Sequence, residues 1–186
     1  MKFNRHSDLE GTHAFLSPSS YHWLRYSDEK LIDRFQTVMT ARRGTQLHDL
    51  AHQCIILGVK LPDEPTTLNM YVNDAIYFNM RSEVSLFYSP NCYGHADTCS
   101  FWDNLLRIHD LKNGVTPASF DQLMIYAALF CLEYAVSPYD IDILLRIYQS
   151  DEVLEKEPYA ETIEQIMERI VRFDQLIETY REEGSW

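Results

Sequence analysis

No stretch of this 186-residue chain approaches the roughly 18 consecutive apolar residues that span a bilayer, and no two of its four cysteines form a C-x-x-C pair. The first absence argues against a membrane-spanning helix. The second argues against a zinc knuckle or a disulfide framework, so Cys54, Cys92, Cys99 and Cys131 read as reduced, mostly buried thiols. Met1-Lys2-Phe3-Asn4-Arg5-His6 has no apolar core of a signal peptide, and the expectation is a soluble, cytoplasmic protein. There is no repeat of fixed period and no low-complexity tract. With 46% hydrophobic residues, the length suits one domain over residues 1–186 with a proper core.

Positive charge is also scarce. Sixteen Lys and Arg face 28 Asp and Glu, a net charge of −12, which argues against a protein that coats nucleic acid by electrostatics alone. The excess is uneven: residues 1–60 carry 8 basic and 6 acidic groups, residues 61–150 carry 4 and 11, and residues 151–186 carry 4 and 11. An acidic centre that binds divalent cations would be partly neutralised when loaded.

The pattern predicts helices, strands, a helix, a strand and a final helix. Ser17-Pro18 is a helix-start signal for Ser19 to Leu24, and a longer helix is expected from Leu31 to Leu57 with Gly58 as its stop. Leu61 to Pro65 reads as a loop and Thr67 to Met80 as a helix. Val84, Leu86 and Tyr88 alternate with Glu83, Ser85 and Phe87 as in a half-buried strand, which Ser89-Pro90-Asn91 breaks. Tyr93 to Trp102 and Leu105 to Lys112 are strands flanking a tight turn at Asp103-Asn104. Pro117 to Tyr134 has helical apolar spacing, and Ile141 to Tyr148 alternates as a strand. Glu161 to Glu182 closes the chain as a helix with Ile163, Ile166, Ile170, Phe173 and Ile177 inward. An α/β sheet flanked by helices on both faces accommodates all of these.

A turn centred on Asp103-Asn104 pairs Trp102 with Leu105 and, continued, sets Asp97 opposite Asp110. Two like charges there are destabilising unless compensated, and a divalent cation is one compensation. Lys112 projects from the same face, two residues on. A surface salt-bridge ladder explains Lys112 beside Asp110 but not the second acid.

The motifs also resemble a known family. Gly44-Thr45-Gln46-Leu47-His48, then Glu83, then Gly94-His95-Ala96-Asp97, then Asp110-Leu111-Lys112, then Gln122-Leu123-Met124-Ile125-Tyr126 stand in the order of the G-T-x-x-H, E, G-x-x-D, D-x-K and Q-x-x-x-Y elements of the RecB-like branch of the PD-(D/E)XK nucleases. The chain looks most like the short stand-alone versions of phages and prophages. The resemblance implies a restriction-endonuclease-like mixed sheet. It also implies that His48, Asp97, Asp110 and the main-chain carbonyl of Leu111 coordinate Mg²⁺ or Mn²⁺, while Lys112 holds the attacking water. Hard oxygen ligands with one imidazole suit those ions.

Glu83 could orient the water or a second metal, or simply be solvated. Gln122 and Tyr126 share a helix face that can meet a phosphate or the lysine, although Tyr126 fits a core equally well. Arg42 and Arg43 are candidates for phosphate contacts, with a solvated helix face as the alternative. His52 reads as a packing residue. Residue 96 is Ala where the superfamily name has proline, and no cysteine follows Cys131, so the iron-sulfur cluster of the CRISPR-associated exonucleases in this branch is not expected. The leading expectation is metal-dependent hydrolysis of DNA, exonuclease-like. The alternative is a non-hydrolytic module that binds DNA ends or a protein partner, with the acidic C-terminal helix as a docking surface or a solvated face.

Overall fold

The computed structural model describes residues 14–183, apart from the side chains of residues 19–21 and of Arg43. Its contacts divide the chain into two units, residues 1–43 and residues 44–186. In the first, a 3-10 helix over Pro18–Arg25 follows Ser17, whose carbonyl accepts a hydrogen bond from the Trp23 indole at 3.0 Å. Helix α1 runs over Asp28–Leu57, and its N-terminal part belongs to this unit, where Phe35 meets the edge of Phe15. Arg42 is exposed here. The side chain of Arg43 lies outside the described residues.

The second unit holds the sheet. After α1 come α2 (Thr67–Tyr77), β1 (Arg81–Ser89), β2 (Cys92–Trp102), β3 (Leu105–Lys112), α3 (Asp121–Glu133), β4 (Asp142–Gln149), β5 (Glu152–Lys156) and α4 (Ala160–Glu182). The five strands lie in sequence order. All neighbours are antiparallel except β3 and β4, which are joined in parallel by the α3 crossover. The expected α/β mixed sheet with helices is present.

Local chemistry accounts for the boundaries. Gly58 at φ +65° ends α1, with the N–H groups of Gly58 and Val59 returning to the carbonyls of Ile55 and Cys54. Thr66 caps α2 by accepting from the Asn69 N–H. Asp103 and Asn104 both have positive φ, as a two-residue hairpin of the right twist requires.

Each sheet face carries its own core. Leu106, Ile108, Ile143, Leu145 and Ile147 pack with α3 and Ile163 of α4. Leu111 and Tyr148 point the other way, into Tyr71, Val72 and Ala75 of α2 and Ala51, Cys54 and Ile55 of α1. All four thiols are free; burial pushes Cys99 up to about 12 and Cys131 to about 11, so neither ionises near neutral pH.

Several elements differ from the sequence pattern. Helix α3 starts at Asp121 rather than Pro117, because the buried Gln149 amide holds 114–118 as a loop, donating to the carbonyls of Gly114 and Thr116 and accepting from the Ala118 N–H. Strand β5 is an addition, entered through Ser150 and Asp151 at positive φ. On α4, Ile163 is buried and Ile166 and Ile170 are partly covered, but Phe173 and Ile177 are exposed, since the helix runs on past the core that α3 offers it.

Candidate active site

The site lies where β2 and β3 part. From Trp102↔Leu105 the ladder keeps the expected register as far as Thr98↔His109 and then stops. Asp97 is therefore not a ladder partner of Asp110, as continued pairing would make it. Its Oδ2 instead accepts the Leu111 N–H at 2.9 Å. The cause is a break in strand alternation: Ala96 and Cys99, three apart, both face the α3 core, and their β1 partners Val84 and Arg81 flank Glu83 at φ +55°. Asp97 sits in the break, turned along the sheet towards the end of β3.

His48, from the second part of α1, brings Nδ1 to 3.5 Å from Asp97 Oδ2. Gly44, one turn earlier, lies against the Asn113 side chain just after β3, which a Cβ there would meet at 2.6 Å. The imidazole is raised above its ordinary pKa, first by its hydrogen bond to Asp97 against the opposing effect of burial, then by the charges of Asp97 and Asp110 and a hydrogen bond to the Leu111 main chain. His48, Asp97, Asp110 and the Leu111 main chain thus converge. His52, one turn on, instead meets the Ser82 hydroxyl at 2.9 Å.

Asp110 is 3% exposed and faces α3. Burial raises its pKa most, the Asp97 charge adds to that, and Lys112 and His48 oppose it. Lys112 Nζ donates to Oδ1 at 3.1 Å and lies 3.0 Å from Oδ2, so one ammonium faces both carboxylate oxygens. The same ammonium donates to Gln122 Oε1 at 3.0 Å. Gln122 Nε2 then reaches the Tyr126 hydroxyl at 3.2 Å, which donates to the His95 carbonyl at 2.7 Å. A Cβ at Gly94 would stand 2.8 Å from the Tyr126 ring, so glycine there lets α3 lie this close to β2. Gln122 and Tyr126 accordingly position Lys112, while Ala127 and Leu123 carry the core side of α3.

Glu83 is exposed and makes no hydrogen bond or ion pair among the described residues, yet its charge reaches the buried Tyr71 hydroxyl together with those of Asp97 and Asp110. Tyr71, held well above its ordinary pKa chiefly by burial and hydrogen-bonded with Thr98, is a neutral wall of the site that no sequence motif flags. The His95 acceptor is equally invisible in sequence, because any residue supplies a carbonyl.

Among the described residues no three His, Cys, Asp or Glu side chains stand as they lie at metal-holding closeness. The Lys112 ammonium takes Asp110 and the Leu111 N–H takes Asp97. The donor chemistry nevertheless fits a hard divalent cation: two carboxylates, one of them buried, beside an imidazole.

No family model matches the chain, and no curated protein does. Among solved structures, the chain described as "Crystal structure of SSO0001" is similar at 15% identity and a TM-score of 0.33, over 57% of either chain, a likeness too loose to bear on fold or function.

Proposed function

We propose that this chain is a metal-dependent nuclease of the PD-(D/E)XK type that hydrolyses DNA phosphodiester bonds, with an exonuclease-like preference for ends, acting in the cytoplasm. The observation that carries the reading is the buried Asp110 carboxylate. A second acid and His48 share its field, and Lys112 on the same face is the ion-pair partner it has among the described residues.

His48, Asp97, Asp110 and the Leu111 carbonyl would hold Mg²⁺ or Mn²⁺, which supplies a Lewis acid and lowers the pKa of water. Asp97 and Asp110 otherwise repel one another, and burial heightens that repulsion. Lys112, hydrogen-bonded to Gln122 and through it linked to Tyr126, would hold a water proton-side out and offset phosphate charge. Glu83, exposed at the same end of β1, can align that water.

Labelled linear, circular and single-stranded DNA incubated with Mn²⁺, Mg²⁺ or chelator tests the reading. Cleavage of linear DNA only with metal is expected; no cleavage of any form with either ion would overturn it. The net charge of −12 favours a second reading, a non-hydrolytic module whose acidic C-terminal helix docks a protein partner. Among the described residues no helix is long and apolar enough to cross a membrane.

A further inference from the structure

Strand β1 begins pairing at Arg81↔Cys99, but β2 runs on to Trp102. Ser100, Phe101 and Trp102 therefore have a strand on one side only. In a hairpin closed at Trp102↔Leu105, hydrogen-bonded pairs alternate, so the Phe101 N–H and C=O point away from β3. Beside this edge opens a cavity of about 630 Å³, walled by Phe78, Arg81, Phe101, Trp102, Arg107 and Tyr134.

Two arginines line this cavity, Arg81 and Arg107. Arg146 is paired with Asp74 and Glu155, and Arg181 with Glu178. Arg107 and Arg81, like Arg25, Arg34, Arg42, Arg169 and Arg172, have no carboxylate in ion-pair range among the described residues, so both are free to meet an anion. The Arg107 guanidinium lies 4.7 Å over the Phe78 ring, and its buried Nε has no acceptor. Trp102 is 81% exposed, and Tyr134 and Phe101 are exposed too.

We propose that this cavity binds a nucleotide unit. Exposed aromatic faces stack a base, the free Phe101 main-chain edge offers a donor and an acceptor to its rim, and the uncompensated guanidiniums take the phosphate. A cavity of this size holds one such unit. The unit is either a free nucleotide or one residue of a single strand, and the site is separate from the carboxylates at the other end of β3.

Calorimetric titration of the full chain in chelator, with dTMP, inorganic phosphate and an eight-residue oligothymidylate, tests the proposal. dTMP should bind at one site, at least tenfold more tightly than phosphate. Arg107→Gln and Trp102→Ala should each weaken dTMP at least tenfold, while Arg181→Gln, on α4, should not. Trp102 is exposed, so its variant should keep the wild-type circular-dichroism spectrum. Tighter binding of the oligonucleotide than of dTMP assigns the site to a strand; binding of dTMP alone assigns it to a free nucleotide. Absence of binding by both, equal affinity for phosphate and dTMP, or indifference to Arg107→Gln would overturn the proposal. Metal-dependent cleavage is scored in a separate reaction, so the cavity and the nuclease reading can fail independently.

Discussion

Two buried polar clusters grow from neighbouring residues of β3, and they are built on opposite terms. His109 faces α2. Its Nδ1 meets the Tyr148 hydroxyl at 3.2 Å, Tyr148 donates to Asp74 at 2.6 Å, and Arg146 binds the same carboxylate at 3.1 Å. One acid serves two donors there, and only His109 Nε2 lacks a hydrogen bond in that chain. Asp110 faces α3, with a second carboxylate in its field and the Lys112 ammonium beside both its oxygens. The first cluster is nearly closed and neutralised, as a structural network is. The second retains electrostatic conflict that an added cation could relieve, and on that difference we propose it as the functional one.

The largest expected effect breaks the second cluster. Asp110→Ala or Lys112→Ala should lower DNA cleavage by about 10²–10⁴-fold, with the circular-dichroism spectrum unchanged. Full activity in either variant would return Asp110 to the status of a structural residue.

The first cluster should reveal itself in acid. Burial, with Arg146 and Arg107 nearby, pushes His109 down to about 3, below the roughly 6.5 of an unfolded histidine. The unfolded chain thus binds a proton that the folded chain refuses, so stability should fall as pH drops below 6.5, and continue to fall towards 3. His109→Gln cannot take that proton. Urea melts from pH 7 to 4 should show its stability falling less steeply than that of wild type, by up to about 1.4 kcal/mol per pH unit. Equal slopes would mean that His109 is already protonated in the fold.

Metal should affect only the second cluster. A cation bound to the folded state alone adds about 2.7 kcal/mol at 100-fold excess over Kd, several degrees in melting temperature. Asp110 has its folded pKa raised, so its ionised form costs stability at neutral pH, and that cost disappears as pH falls through the raised value. Asp110→Asn removes the cost: metal-free, it should melt above metal-free wild type, yet gain less from Mn²⁺. Lower stability without metal, and no Mn²⁺ response in either protein, would remove the carboxylate conflict from the account.

The smallest effect separates two histidines on one helix. His48→Ala should weaken Mn²⁺ binding about tenfold in calorimetry, whereas His52→Ala, which loses only its Ser82 contact, should leave it unchanged.

Much of this was legible in residue order because its causes are local. Gly58 at positive φ ends α1, Asp103-Asn104 takes the hairpin conformation, and the period-two alternation from Ile141 to Tyr148 puts Ile143, Leu145 and Ile147 on one sheet face. The hairpin register followed as far as Thr98↔His109, and Lys112 was on the Asp110 face as the pleat demands. Strand β5 escaped because all five of its residues are exposed, so no buried face imprints a pattern on them.

What only the tertiary structure decided is where local rules yield to distant partners. Asp97 leaves its ladder position because the strands part at Glu83 and Asp97, freeing its carboxylate for the Leu111 N–H. The parallel pairing of β3 with β4 depends on how α3, which connects them, packs on the sheet face, and the extent of burial along α4 on how far its neighbour reaches. Local conformational preference acts over a few residues and is written in them. The energy of bringing one carboxylate beside another depends on every element that surrounds the pair, and it exists only once they are assembled.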